Sequence, residues 1–183
     1  AVLAGVIEAE GANALDRRID VGVVENDHRR LAAQFHVHAF DAVGGAGNDV
    51  MDGGSDNDDM YGGGDDDQMT GGTGNDTMTG DDGSDNVEGE DGDDVLRWTA
   101  ANNSDGSADI YDGGDQTDTL ELYFTAAEFA AHEAAIAEFA NRLENGEDNV
   151  TLTIGAKTLT ASDIEYVHVH VDGVEIPVLI DDS

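Results

Sequence analysis

Six aspartates stand nine residues apart without a gap: Asp49, Asp58, Asp67, Asp76, Asp85 and Asp94. Two more, Asp109 and Asp118, resume the same interval after a short break. Carboxylates that recur at a fixed interval on a repeating backbone stack on their own copies, and such a stack repels itself. Residues 44 to 121 hold 23 Asp and Glu against one Arg, Arg97. A hard cation between the stacked carboxylates removes that cost. Calcium suits the role, because it takes about six to eight oxygen ligands in flexible geometry and accepts backbone carbonyls beside carboxylates. Magnesium fits less well, since it demands a tight octahedron and keeps its waters. Zinc would want His or Cys, and the repeat offers neither.

The elements that must position these aspartates are legible in the same repeat. From Gly44 to Arg97 the chain reads in nines: GGAGNDVMD, GGSDNDDMY, GGGDDDQMT, GGTGNDTMT, GDDGSDNVE, GEDGDDVLR. Position 1 is Gly and position 6 is Asp in all six. Position 8 is apolar throughout, as Met51, Met60, Met69, Met78, Val87 and Leu96. The register breaks over residues 98–103 and resumes as SDGSADIYD and GGDQTDTLE, with Tyr111 and Leu120 at position 8. All four methionines fall at one phase, which a low-complexity Gly/Asp tract would not produce. Positions 1 to 6 are expected to form a turn, where glycine permits positive φ and close approach. Positions 7 to 9 are expected to form a minimal strand whose central residue points inward. One unit cannot bury that side chain alone, but stacked units bury a continuous column. Two nonapeptides make one coil, so each unit lies beside the next but one.

The pattern GGxGxDxUx, with U a large apolar residue, resembles the repeats-in-toxin (RTX) family of hemolysin-type calcium-binding repeats. The resemblance covers residues 44–97 closely and 104–121 more loosely. It implies a mainly β fold, a right-handed parallel β-roll, with calcium held between turns by paired position 6 aspartates and carbonyls of the Gly-rich turn. Carried over, Asp49 pairs with Asp67, Asp58 with Asp76, Asp67 with Asp85, and Asp76 with Asp94. Asp85 with Asp109 and Asp94 with Asp118 follow if residues 98–103 loop out. The implied complement is about four to six calcium ions. Position 4 departs from Gly at Asp56, Asp65, Ser107 and Gln116, and position 2 at Asp81, Glu90 and Asp105. Asp tolerates left-handed geometry better than most residues, and Gln116 departs furthest. The family further implies type I secretion machinery as a partner, a secreted, extracellular or cell-surface location, and folding triggered by calcium outside the cell.

Composition sets the outer bounds. The 183 residues carry 42 Asp and Glu against 7 Lys and Arg, a formal charge of −35. That charge argues against nucleic acid and anionic membrane surfaces as partners. It leaves either a disordered acidic chain or one neutralised by bound cations. The strict repeat favours the second. There is no Cys, hence no disulfide or thiolate metal site. No run of 18 apolar residues occurs, so no membrane-inserted helix is expected. The N-terminus lacks a basic region ahead of its apolar residues and makes a poor secretory signal peptide.

The flanks read differently. Residues 1–43 contain Arg17, Arg18, Arg29 and Arg30 and no repeat; IDVGVV and QFHVHAF are possible strands. Residues 122–183 predict a helix and antiparallel strands that cap the open end of the solenoid. Thr125 and Glu128 match a capping box. Phe129, Ile136, Ala140 and Leu143 share a helical face, Gly146 is a natural stop, and Asp172-Gly173 is a hairpin turn. His36 with His38, and His168 with His170, alternate on strands and could suggest zinc. No third ligand is evident, and solvent-facing strand positions explain them more simply. The methionine column suits core filling better than soft-metal binding. No segment has the spacing of an EF-hand loop.

Function then divides three ways. The first reading is a calcium-binding structural or secretion module without catalysis. The second is the C-terminal portion of a larger secreted protease, lipase or epimerase; neither HExxH nor GxSxG occurs in the chain. The third is an adhesin or ice-binding segment, which would need a regular Thr array, whereas GTGND occurs once.

Overall fold

The computed structural model describes residues 41–103 and 106–177. The two possible strands of the N-terminal segment, with His36 and His38, lie outside the described residues. The repeats form short strands: β1 (Asp41–Ala46), β2 (Val50–Ser55), β3 (Asp59–Gly64), β4 (Gln68–Thr73), β5 (Thr77–Asp82), β6 (Asn86–Asp91), β7 (Val95–Thr99), β8 (Ala108–Asp115) and β9 (Thr119–Phe124). They are dealt alternately to two parallel sheets, β1-β3-β5-β7-β9 and β2-β4-β6-β8. Met51 sits beside Met69 and Met60 beside Met78, so the chain returns to the same place after two units. Across the register break Val87 still meets Tyr111 and Leu96 still meets Leu120. The architecture is a parallel β-roll.

Its core is the position 8 column. Met60, Met69, Met78, Val87, Leu96, Tyr111 and Leu120 are all buried between the sheets. Tyr111 spans the gap. Its hydroxyl donates to the Arg97 carbonyl (3.2 Å) and accepts from the Gly80 N–H (3.1 Å), both on the opposite sheet. A buried phenol is thereby satisfied at both ends.

Three details depart from the sequence expectations. The strands are longer than the expected positions 7 to 9, running on through positions 1 to 3 of the next unit. In Val50–Ser55 the pairing of Met51 and Asp52 resumes at Gly54, skipping Gly53. Glycine at position 1 therefore marks a ladder irregularity inside a strand, and the true turn is positions 4 to 6. The array also begins before Gly44: Asp41–Val43 already lie in β1, with Ala42 buried at the phase of position 8 beside Met60. Finally, Trp98 and Thr99 do not loop out. They extend β7, pairing with Leu122 and Tyr123. Inward alternation simply continues from Leu96 to Trp98, and the buried indole packs edge-on against Phe124 at 6.0 Å. The insertion starts at Ala100, whose carbonyl accepts from Lys157 Nζ (2.6 Å).

Beyond β9 come α1 (Ala126–Glu144), β10 (Val150–Ile154), β11 (Lys157–Ser162), β12 (Tyr166–Val171) and β13 (Val174–Ile176). The capping box at Thr125 and Glu128 closes α1 at its start. Ile136, Phe139, Ala140 and Leu143 form its buried face, packed toward β10 and β12; Phe129 is only partly buried. Among the described residues antiparallel pairing is confined to β10 with β11 and β12 with β13, the latter through Asp172-Gly173 with positive φ at both residues. β11 lies parallel on β8, and β12 parallel on β9. The C-terminal segment thus lays one more coil on the roll without using the nonapeptide sequence.

Candidate calcium centres

The turns place the eight position 6 aspartates on two edges. Asp49, Asp67, Asp85 and Asp109 stack on one edge; Asp58, Asp76, Asp94 and Asp118 stack on the other. One hydrogen bond joins each step: the backbone N–H of an aspartate donates to Oδ1 of the aspartate one coil on. The distances are 2.8 Å for Asp49 to Asp67, 2.8 Å for Asp58 to Asp76, 2.9 Å for Asp67 to Asp85 and 2.7 Å for Asp76 to Asp94. The same bond crosses the insertion, 3.0 Å from Asp85 to Asp109 and 2.8 Å from Asp94 to Asp118. The structure brings together every pair expected from the repeat, including the two that depended on a looped-out insertion.

The second carboxylate oxygen carries the chemistry. Oδ2 of Asp49, Asp67, Asp76, Asp85, Asp94 and Asp118 is buried with no hydrogen-bond partner. Such an oxygen carries a desolvation cost that nothing in the protein offsets. It points toward the position 1 glycine of its own unit. A methyl group built on Gly62 would lie 2.5 Å from Asp67 Oδ2 and 2.7 Å from the Gly80 carbonyl oxygen of the next coil. On Gly53 the corresponding contacts are Asp58 Oδ2 and the Gly71 carbonyl, 2.7 and 2.6 Å away. Position 1 is glycine because carboxylate and carbonyl oxygens converge where a side chain would begin. At each such point a carboxylate oxygen meets a backbone carbonyl oxygen of the next coil, an oxygen-only, hard donor pair of the kind calcium accepts. Among the described residues no three His, Cys, Asp or Glu side chains converge on one point. Carbonyls, then, must supply much of any coordination.

Burial is the main force on these groups. It pushes Asp67 and Asp118 up to about 7, and Asp76, Asp85 and Asp94 up to about 6. The backbone N–H bond opposes the shift in each case, while neighbouring carboxylates reinforce it. Asp109 is also raised by burial, against the N–H groups of Asp85 and Trp98.

Positions 2 and 4 carry positive φ at five places where glycine is absent, though not at Ser107. Asp56, Asp65 and Gln116 at position 4 lie at 78°, 71° and 93°, and Asp81 and Glu90 at position 2 lie at 69° and 72°. Gln116 thus keeps the turn geometry that its side chain disfavours, and Asp118 still stacks in register. The sequence reading missed a second ladder at position 5. Asn57 Oδ1 accepts from Asn75 N–H (2.9 Å), Asn75 Oδ1 from Asp93 N–H (3.2 Å), and Asp93 Oδ1 from Thr117 N–H (3.2 Å). On the other edge Asp66 Oδ1 accepts from Ser84 N–H (3.0 Å) and Ser84 Oγ from Ala108 N–H (3.1 Å). The signal was present, since position 5 is almost always a short polar residue. His168 is exposed on β12, and the half-buried His170 stacks on Tyr123 at 4.5 Å; among the described residues neither joins a cluster of three His, Cys, Asp or Glu.

Residues 41–69 and 61–96 match the family model of the RTX calcium-binding nonapeptide repeat, in four copies. No curated protein and no solved structure matches the chain. With its stacked aspartates and Gly-rich turns, the segment 41–96 is an array of RTX calcium-binding nonapeptide repeats.

Proposed function

We propose that this chain is a structural calcium-binding module that is secreted, folds on meeting calcium outside the cell, and performs no catalysis itself. The buried, unpartnered Oδ2 oxygens carry this reading. They make the metal-free roll a high-energy state and the calcium-loaded roll a satisfied one. Three steps per edge give six inter-turn positions, the top of the range expected from the repeats. Each ion contributes about 2.7 kcal/mol when free calcium is about 100 times its dissociation constant. Extracellular calcium modules bind at roughly 0.1–1 mM, so the sum over several sites sets the fold. Export by type I secretion machinery follows from the same switch: a chain left unfolded where calcium is scarce is one that can be threaded. Circular dichroism during calcium titration of a chelated sample tests the proposal. Strand signal should rise cooperatively with calcium; a native spectrum indifferent to chelator would overturn it.

A further inference from the structure

The two edges of the roll end differently. On one edge the last aspartate is Asp109, and the Trp98 indole N–H donates to its Oδ2 at 2.6 Å. A neutral donor there does what an ion would otherwise do, and the ladder closes. On the other edge the last repeat aspartate, Asp118, is 0% exposed and its Oδ2 has no partner. There the cap supplies another carboxylate instead of a donor. Asp118 N–H donates to Glu165 Oε2 at 2.7 Å, the same bond that joins each aspartate to the next in the ladder. The Asp118 carbonyl accepts from Tyr166 N–H (3.0 Å), as the Asp94 carbonyl accepts from Thr119 N–H (2.9 Å) one coil earlier. Val167 pairs with Leu120 at the phase of position 8. Glu165 therefore occupies position 6 of a shortened, non-repeat turn. The position 1 carbonyl has a counterpart too: a methyl group on Gly113 would strike the Asp163 carbonyl oxygen and the Asp118 side chain, just as one on Gly89 would strike the Gly113 carbonyl and Asp94.

We propose that Asp118, Glu165 and the Asp163 carbonyl hold a further calcium ion where the roll meets the cap. The inference rests on the calcium reading of the repeats and extends it to residues outside them. Placing Glu165 against a buried aspartate stack is repulsive in the absence of a cation. Asp163 and Glu165 are exposed, so water can complete the coordination sphere. The site ties β12 to the last repeat turn through a metal.

Native mass spectrometry of the full chain in calcium, with Glu165→Gln beside wild type, tests it. Gln keeps an oxygen for the Asp118 N–H and removes the charge. The variant should hold one ion fewer and keep the wild-type circular-dichroism spectrum in calcium. Equal stoichiometry would overturn the cap site while leaving the repeat sites standing; no ions in wild type would overturn the repeat reading itself. Should the variant not fold, crystals of wild type grown with terbium decide the matter. An anomalous peak between Asp118 and Glu165 upholds the proposal, and peaks at the repeat turns alone refute it.

Discussion

At the scale of single residues, the aspartates differ by how many steps they join. Asp67 and Asp76 each take part in two, whereas Asp49, at the start of its described edge, takes part in one. Asp67→Ala should therefore raise the calcium midpoint of folding about twice as much, in free energy, as Asp49→Ala, given about 2.7 kcal/mol per ion at 100-fold excess. Circular-dichroism titrations of the two variants give the comparison. Proton competition supplies another check. The metal-free fold raises the pKa of Asp67 and Asp118 to about 7 and of Asp76, Asp85 and Asp94 to about 6. The folded state thus binds more protons than the unfolded chain, so acid favours it. That contribution is fully present below about pH 4, the unfolded value, and is lost as pH rises through 6 to 7. In chelator, strand signal should grow as pH falls from 7.5 toward 4. In calcium, affinity should weaken over the same descent.

At the scale of elements, glycine positions separate two kinds of cost. Gly62→Ala places a methyl among oxygens at 2.5 and 2.7 Å. Overpacking of that kind costs about 1–3 kcal/mol, and here it also displaces the oxygens proposed to hold calcium. Gly47→Ala meets nothing within 4 Å, but φ there is +99°; the expected cost is about 1 kcal/mol, from backbone strain alone. Calcium affinity should fall markedly in the first variant and little in the second, as calorimetric titration would reveal. The nonapeptide made the strands, their two-unit return and the inward column readable, because identical units can only stack in one register. Trp98, Ala42 and the parallel placement of β11 and β12 were hidden for a common reason. Each continues the roll with residues that do not obey the nine-residue rule, and alternation alone does not reveal which sheet a strand joins. Glu165 was hidden likewise, since its turn is shorter than a repeat.

At the scale of the whole molecule, the roll is held by steps between neighbouring coils and is closed at one end by α1 with β10 to β13. Solenoids of this kind gain stability step by step from their interfaces. Removing residues 122–183 would uncover Leu120 and Trp98, which are buried in the intact chain. The shortened protein should need a higher calcium concentration to fold, read as a shifted midpoint in the same titration. Trp98→Phe should be costly in a different way. It strips Asp109 Oδ2 of the indole N–H donor, leaving a buried oxygen unsatisfied at a cost of about 1–3 kcal/mol, and denaturant melts in saturating calcium would measure it. The indole has a further use. It is the chain's single tryptophan, locked just before the inserted loop leaves the spiral, so its emission reports the closing of one rung. Stopped-flow fluorescence set against far-ultraviolet signal, which averages over every rung, would tell whether the spiral zips from its capped end or closes everywhere at once.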